Sequence, residues 1–535
     1  MDLLSLGALG LTAVEWLAIG WLSGLEWPAP TPWGPRWALR LLVGVALLGI
    51  SLLLLAVVGV SLRGLPLPLV VAVGGAGLVR WLTRRGRGPA PPPSSAYAPS
   101  VTRSVTGSVT GWPFAYHEMR NAAASVTGSV TAVTGSLRFV TSRAAGSGPA
   151  VSGSFGALTA GVEGSHSRER LAWVTPGGLA GRLGTPRGRL GTPLWALLGL
   201  VLLAAVVRAL RAPEAGWDAY SHWGLKAQAY FQAGSLVDTH TAHEYYPPLV
   251  PLLESWLYLQ RGAALIDLGK DVWALVGAAF VVCLAWHLRL ALPRHGWLAP
   301  LLALGVLLGT TQLLDSFWTG EADLALAAYL SLATLALLRW QEAPWQRAWL
   351  VQAVLFGAAA GLTKYEGIFR VGVLVAAVAV EAMLRRRPAA AGGALVVGVA
   401  AGMAYLPWAV FRALHGIEVT SEHMSRFQPA AIGAVLVALG GALGGVRAGG
   451  GILVASLAGV VAGRRALAGP LRLLTLVTLG QLAATLIAFL ITDYSPVLQV
   501  QLSATRLFEQ LLPVALFAAA VWLTETIGHA DTGGE

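Results

Sequence analysis

The chain alternates between long apolar runs and short polar turns. Apolar residues dominate positions 4–25, 37–60, 65–82, 194–210, 272–290, 298–314, 324–338, 348–362, 368–384, 393–410, 473–491 and 511–523. Such runs suit helices that cross about 30 Å of hydrocarbon. None alternates with period two, the pattern a membrane barrel would need. The segment 430–461 has room for one crossing or two. Two would put Arg464 and Arg465 beside the carboxylate-bearing turns, and one would put them on the opposite side. We expect one, with residues 432–443 along the interface. The expected fold is an all-α polytopic membrane protein, a bundle of about 13 transmembrane helices.

One interval breaks the alternation. Residues 84–193 contain APPPSS, SVTGSVTG, SVTGSVTAVTGS and RLGTPRGRLGTP. Gly/Ser/Thr/Pro tracts bury too little apolar area to offset chain entropy, so disorder is expected there. The interval is also too long for an ordinary connection. It reads as a solvated basic cytoplasmic linker with at most weak lipid headgroup contact. The organisation expected is a three-helix membrane segment over 1–83, the linker over 84–193, a catalytic transmembrane domain over 194–526 and a polar tail over 527–535.

Composition supports the pattern. Hydrophobic residues make up 56% of the chain and charged residues 12%, against about 25% charged in soluble domains. The net charge of +11 does not make nucleic acid the partner. Arginines cluster at alternate turns instead: Arg80, Arg84, Arg85 and Arg87, then Arg289 and Arg294, Arg339 and Arg347, and Arg385 to Arg387. The positive-inside rule places those turns in the cytoplasm and the carboxylate turns outside, in a plasma or inner membrane with membrane lipids as neighbours. The single Cys283 forms no disulfide within the chain. The first run lacks a basic leader and carries Glu15, so a retained span is expected rather than a cleaved signal peptide. An acid inside a span is a functional candidate, although a hydrogen bond between helices would also account for it.

Candidate chemistry lies in the outer turns. EAGWDAYSHWGLKAQAYF places Asp218, His222 and Lys226 at intervals of four, on one face if helical. An interfacial helix with a solvated polar face and an aromatic anchor fits the same spacing. The next outer turn, DSFWTGEAD, ends in Glu321 and Asp323, which also suit a helix N-terminus. TKYEG holds Lys364, a phosphate contact or a snorkelling anchor. SATRLFEQLLP holds Arg506, an outer arginine that suits an anionic partner. His240-Thr241-Ala242-His243-Glu244 matches no zinc spacing, and no metal is expected.

These stretches, WDAYSHWGLKAQAYF with YYPPLVPLLESWLY, then TGEADLALAAYL, GLTKYEG and SATRLFEQLLP, resemble the GT-C superfamily of integral-membrane glycosyltransferases. Bacterial protein mannosyltransferases and lipid A aminoarabinose transferases are the members most similar in pattern. The likeness extends over residues 194–523 of 535. It implies a GT-C-like bundle with outer-face catalytic loops, a polyprenyl-phosphate sugar donor, an envelope acceptor and no required cofactor. It implies Asp218 as catalytic base, with Glu321 and Asp323 binding acceptor or positioning the site. Lys364 and Arg506 would contact donor phosphate, and Lys226, Glu244 and Tyr246 would line the substrate site. The family's Glu-Lys pair near the Tyr-Pro segment is replaced here by Glu244-Tyr245-Tyr246, without the lysine. The three leading spans and the basic linker are additions to the family pattern. A transporter or flippase of an envelope precursor is the second expectation, though no internal repeat supports it. A non-catalytic envelope assembly protein is the third.

Overall fold

The computed structural model describes residues 2–530 apart from 26, 28–30, 64–65, 86–185, 214–215, 238, 240, 242, 293–294, 309–310, 420–426, 444–447, 468–470 and 493–494. The expected linker therefore lies almost wholly outside the described residues, as do His240 and the tail from 531 onward. The first helices are α1 (Leu3–Ser23), α2 (Trp33–Val57), α3 (Pro66–Arg85) and α4 (Pro186–Arg211). A π-helical turn, Ala219–Gly224, leads into α5 (Leu225–Ala233) and α6 (Leu249–Arg261). There follow α7 (Asp271–Ala291), α8 (Ala299–Leu308), α9 (Thr311–Thr319), α10 (Ala322–Glu342), α11 (Arg347–Thr363), α12 (Tyr365–Leu384) and α13 (Pro388–Leu414). The chain ends with α14 (Ile432–Leu443), α15 (Ala448–Ala462), α16 (Leu471–Leu490), α17 (Pro496–Glu509) and α18 (Leu512–Ala530). Among the described residues the only strand-like pairing is an isolated antiparallel bridge between Phe427 and Ile491.

The chain is an all-α polytopic membrane protein. Nine described helices are long and apolar enough to cross a bilayer, or up to 11 if the bent pairs α8/α9 and α17/α18 each form one span. Length and composition do not reach 13. The two remaining expected crossings fall on shorter apolar helices, α11 with 17 residues and α15 with 15.

Helix α10 is the core of the bundle and is buried from Ala322 to Trp340. Its Leu/Ala sequence is apolar on every side, as a helix enclosed by neighbours requires. It packs against α7, α11 and α18. At the N-terminus, Asp2 caps α1 by accepting from the Ser5 N–H at 2.7 Å. Helices α1 and α2 then cross almost backbone to backbone. A Cβ on Gly44 would lie 1.9 Å from the Trp16 carbonyl oxygen, and one on Gly20 would lie 1.8 Å from that of Arg40. Glu15 resolves as the structural alternative: Trp256 Nε1 and Gln260 Nε2 each donate to it at 2.9 Å, joining α1 to α6.

The two ends of the bundle differ in chemistry. At one end the α2–α3 connection meets the end of α5, with the Leu62 N–H donating to the Gly234 carbonyl at 2.6 Å. At the other end Trp27 packs on His287 and Trp349, with ring centroids 4.8 and 5.4 Å away. Arginines pair there too: Arg339 with Glu342 at 3.2 Å, and Glu381 with both Arg385 and Arg472. The ends of the segment 430–461 lie at opposite ends of α16. Before α14 the Gln428 N–H bonds to the Leu490 carbonyl, at the far end of α16. After α15 the Ala466 carbonyl accepts from Thr475, beside the start of α16.

The close α1–α2 crossing gives a direct test. Gly44→Leu places a side chain into the Trp16 backbone and should destabilise the protein by about 3 kcal/mol or more. Gly10→Leu, where no atom lies within 4 Å, should be neutral. Thermal unfolding in detergent, read by tryptophan fluorescence, measures both.

Candidate active site

Four polar turns converge at the end opposite the Trp27 cluster. The first precedes the π-helical turn and carries Asp218. It is held against the second turn at Gly216, where a Cβ would come within 2.6 Å of the Thr319 carbonyl and 3.4 Å of Glu321 Cγ. Only glycine permits that approach. Arg208, in the last turn of α4, stacks over the Trp318 ring at 4.2 Å and ties the same two regions together. Behind them Lys270 donates to the Ala209 carbonyl at 2.5 Å and pairs with Asp271 at 2.8 Å, fixing the end of α4 to the start of α7.

The second turn delivers Glu321 as the residue before α10 and Asp323 in its first turn. The third is the break between α11 and α12, where Lys364 takes an extended conformation with φ −142° and ψ 162°. That break directs the lysine inward, and it is buried. The fourth is the last turn of α17, which supplies Arg506 and Gln510 just before the chain bends by 57° into α18.

Asp323 joins three of these turns. Its Oδ1 accepts from Lys364 Nζ at 2.9 Å and from Gln510 Nε2 at 2.5 Å. Its Oδ2 accepts from Arg506 Nε at 3.1 Å. The guanidinium of Arg506 reaches onward, with Nη2 2.5 Å from Asp218 Oδ2. Lys364 also pairs with Glu366 at 3.3 Å. The chain of charges thus runs Asp218, Arg506, Asp323, Lys364, Glu366. Burial opposes the charge on Lys364, but Asp323 and Glu366 outweigh it and hold the ammonium above its ordinary range. Burial, followed by the Asp323 charge, raises the Glu321 carboxyl. One Glu321 oxygen, Oε2, is buried with no hydrogen-bond partner.

The remaining expected site residues are placed differently. Lys226 leaves the line of Asp218 and His222 and donates to the His243 carbonyl at 2.6 Å. Burial brings its ammonium down to about 7, against the raising effect of Glu244. Glu244 is turned to its own loop, accepting from the Thr239 N–H at 2.5 Å. The Tyr246 ring stacks between Trp223 at 5.6 Å and His243 at 5.1 Å. Burial, and next the charge of Glu366, holds its hydroxyl well above the usual range. These three residues build the wall on which the Asp218 turn rests, and Tyr246 borders the charge chain.

Three participants escaped the sequence reading. Gln510 stands one helical turn beyond Arg506, a spacing that puts both on one face of α17. Glu366 is two residues from Lys364 and was legible only as part of TKYEG. Arg370, one turn further along α12, is buried, with Gln481, Thr485 and the Leu507 carbonyl around its guanidinium at 3.3–3.5 Å. No sequence signal separates it from a topological arginine.

Among the described residues no group of three or more His, Cys, Asp and Glu side chains could hold a metal ion. The carboxylates are instead interleaved with resident cations. Such a site can exchange partners: an incoming anion competes for Arg506, and the carboxylate it displaces gains a free oxygen. Comparison with family models, curated proteins and solved structures gives no match.

The burial of Asp323 sets an energetic order. Removing one partner of a buried, hydrogen-bonded pair costs about 3–5 kcal/mol, whereas a partly exposed pair contributes about 1 kcal/mol or less. Asp323→Ala should therefore lower stability by several kcal/mol, and Asp218→Ala much less. Chemical denaturation of the two purified variants in one detergent compares them.

Proposed function

We propose that this protein is a membrane glycosyltransferase that moves a sugar from a polyprenyl-phosphate donor to an envelope acceptor. The observation that carries the reading is the continuous chain Asp218, Arg506, Asp323, Lys364 at one end of an apolar bundle. A lipid donor brings its phosphate to that depth while its tail stays among the helices. The site end then faces outward, where the polyprenyl-linked sugar and the acceptor meet.

The chemistry follows from the charges. The donor phosphate takes up Arg506, with Lys364 adding positive potential behind it. As the bond between the anomeric carbon and the phosphate oxygen breaks, its electron pair goes to phosphate, and both cations stabilise the growing charge. The acceptor hydroxyl attacks the anomeric carbon and loses its proton to a base. Asp218 is that base. Without donor its Oδ2 is neutralised by Arg506; once phosphate occupies the arginine, the carboxylate is released beside the reacting carbon. Donor binding thereby switches on the base, which limits proton abstraction when no sugar is present. Asp323 keeps Lys364 and Arg506 aimed during the exchange, and Glu321 lines the acceptor side.

The test uses the full chain in proteoliposomes with a radiolabelled polyprenyl-phosphate sugar and envelope extract. The expected result is label on an acceptor, a loss of about 10²–10⁴-fold with Asp218→Asn, and weakened donor binding with Arg506→Gln. Movement of intact donor between leaflets without cleavage of the sugar–phosphate bond would replace this reading with a transporter.

A further inference from the structure

The π-helical turn after Asp218 arranges a second polar contact that the charge chain does not use. His222 is buried, and its Nε2 lies 3.7 Å from Asp218 Oδ1, the oxygen facing away from Arg506. Its other nitrogen, Nδ1, lies 2.9 Å from Ser221 Oγ. The single hydroxyl proton of Ser221 is committed, because Oγ donates to the Trp217 carbonyl at 2.7 Å, and a carbonyl can only accept. Ser221 Oγ must then accept from His222, so Nδ1 carries the ring proton. In the neutral ring Nε2 is consequently a bare lone pair aimed at a carboxylate. Two acceptors facing each other are at ease only when a proton sits between them.

We infer that His222 is a relay and positioning residue that takes over, at Nε2, the proton Asp218 removes from the acceptor hydroxyl. This inference rests on the glycosyl-transfer reading. The order of events balances. The acceptor oxygen bonds to the anomeric carbon, and the sugar–phosphate bond pair leaves on phosphate. The acceptor proton passes to Asp218 and then to His222, leaving a carboxylate and an imidazolium. Asp218 is reset for the next turnover, and the imidazolium loses its proton to water after product leaves. The gap of 3.7 Å closes to about 2.7–3.2 Å for transfer, the tightening usual between a ligand-free site and its complex. Release of Oδ2 from Arg506 gives the carboxylate freedom to make that move.

The surroundings of His222 fix the sign of the pH dependence. Asp218 and Ser221 favour the imidazolium, Lys226 of α5 and Arg506 of α17 oppose it, and the His243 ring closes the remaining side edge-on at 4.6 Å. Burial is the largest influence, and the proton affinity lies below the ordinary histidine range. The ring is therefore neutral and receptive near neutral pH. Transfer should fall as pH drops through the His222 titration, because an imidazolium cannot accept.

The experiment measures turnover against pH for wild type, His222→Asn and His222→Gln with the labelled polyprenyl-phosphate sugar. Asn keeps a donor where Nδ1 stood, and Gln keeps an amide where Nε2 stood, but neither is basic. We expect turnover to fall about 10–100-fold in both with little change in KM for the donor, and the acid limb to move down into the carboxylate range. Either variant keeping the wild-type limb and rate would overturn the relay while leaving the transferase reading intact. No transfer by wild type would overturn both. A readout independent of activity is 15N-histidine NMR of the full chain in detergent, with His222→Asn assigning the signal. The neutral His222 ring should be protonated at Nδ1, and Asp218→Asn should lower its pKa. A neutral ring protonated at Nε2 would end the proposal.

Discussion

The site depends on one carboxylate with no exposure to solvent. Asp323 sits in the first turn of α10, the most enclosed helix, and takes one hydrogen bond each from Lys364, Gln510 and Arg506. An ionised carboxylate in such a place is tolerable only when cations and hydrogen bonds surround it. Those partners come from α17 and from the break between α11 and α12. Satisfying one buried charge therefore fixes the relative positions of three polar turns. It also explains why Lys364 stays charged while buried: each ion is the other's solvent.

Around that fixed centre the outer charges are exchangeable. Asp218 shares Arg506 with Asp323, yet its side chain is 18% exposed where that of Asp323 is fully buried. A ligand anion arriving at the surface competes first for the half of the arginine that faces Asp218. In the proposed reading, stability and reactivity are separated along a few ångströms: the inner pairs hold geometry, and the outer pair is the one that opens. The π-helical turn belongs to the outer part. Such turns are rare and concentrate at functional sites, and this one seats His222 against Asp218 while Lys226 swings to the loop carrying His243.

The opposite end of the bundle uses the same residue types in packing and ion pairs. Glu381 binds Arg385 at the end of its own helix and Arg472 of α16, and Arg339 binds Glu342 within α10. Trp27, His287 and Trp349 pack the α1–α2 connection onto α7 and α11. Glu381 is itself shared between Arg385 and Arg472, so charges are linked at this end as well.

By itself the sequence determined most of the long apolar helices and their order, because apolar run length is a local property that hydrocarbon thickness selects directly. It also determined which turns share an end, since arginine and carboxylate turns alternate along the chain. Asp218, Glu321, Asp323, Lys364 and Arg506 could be singled out because polar residues in short turns between apolar helices stand apart from their surroundings. What the tertiary structure decided was pairing. Nothing in the spacing told that Arg506 bridges Asp218 and Asp323, that Gln510 completes the latter, or that Lys226 and Glu244 serve a loop instead. Those outcomes depend on distances between turns up to 288 residues apart, Asp218 to Arg506, which helix packing sets and local pattern does not encode. The Glu15 bonds to α6, the break of the expected span 298–314 into a bent pair and the helix α17 in the expected outer stretch 493–510 were hidden for the same reason: each is settled by neighbours that the local sequence cannot see.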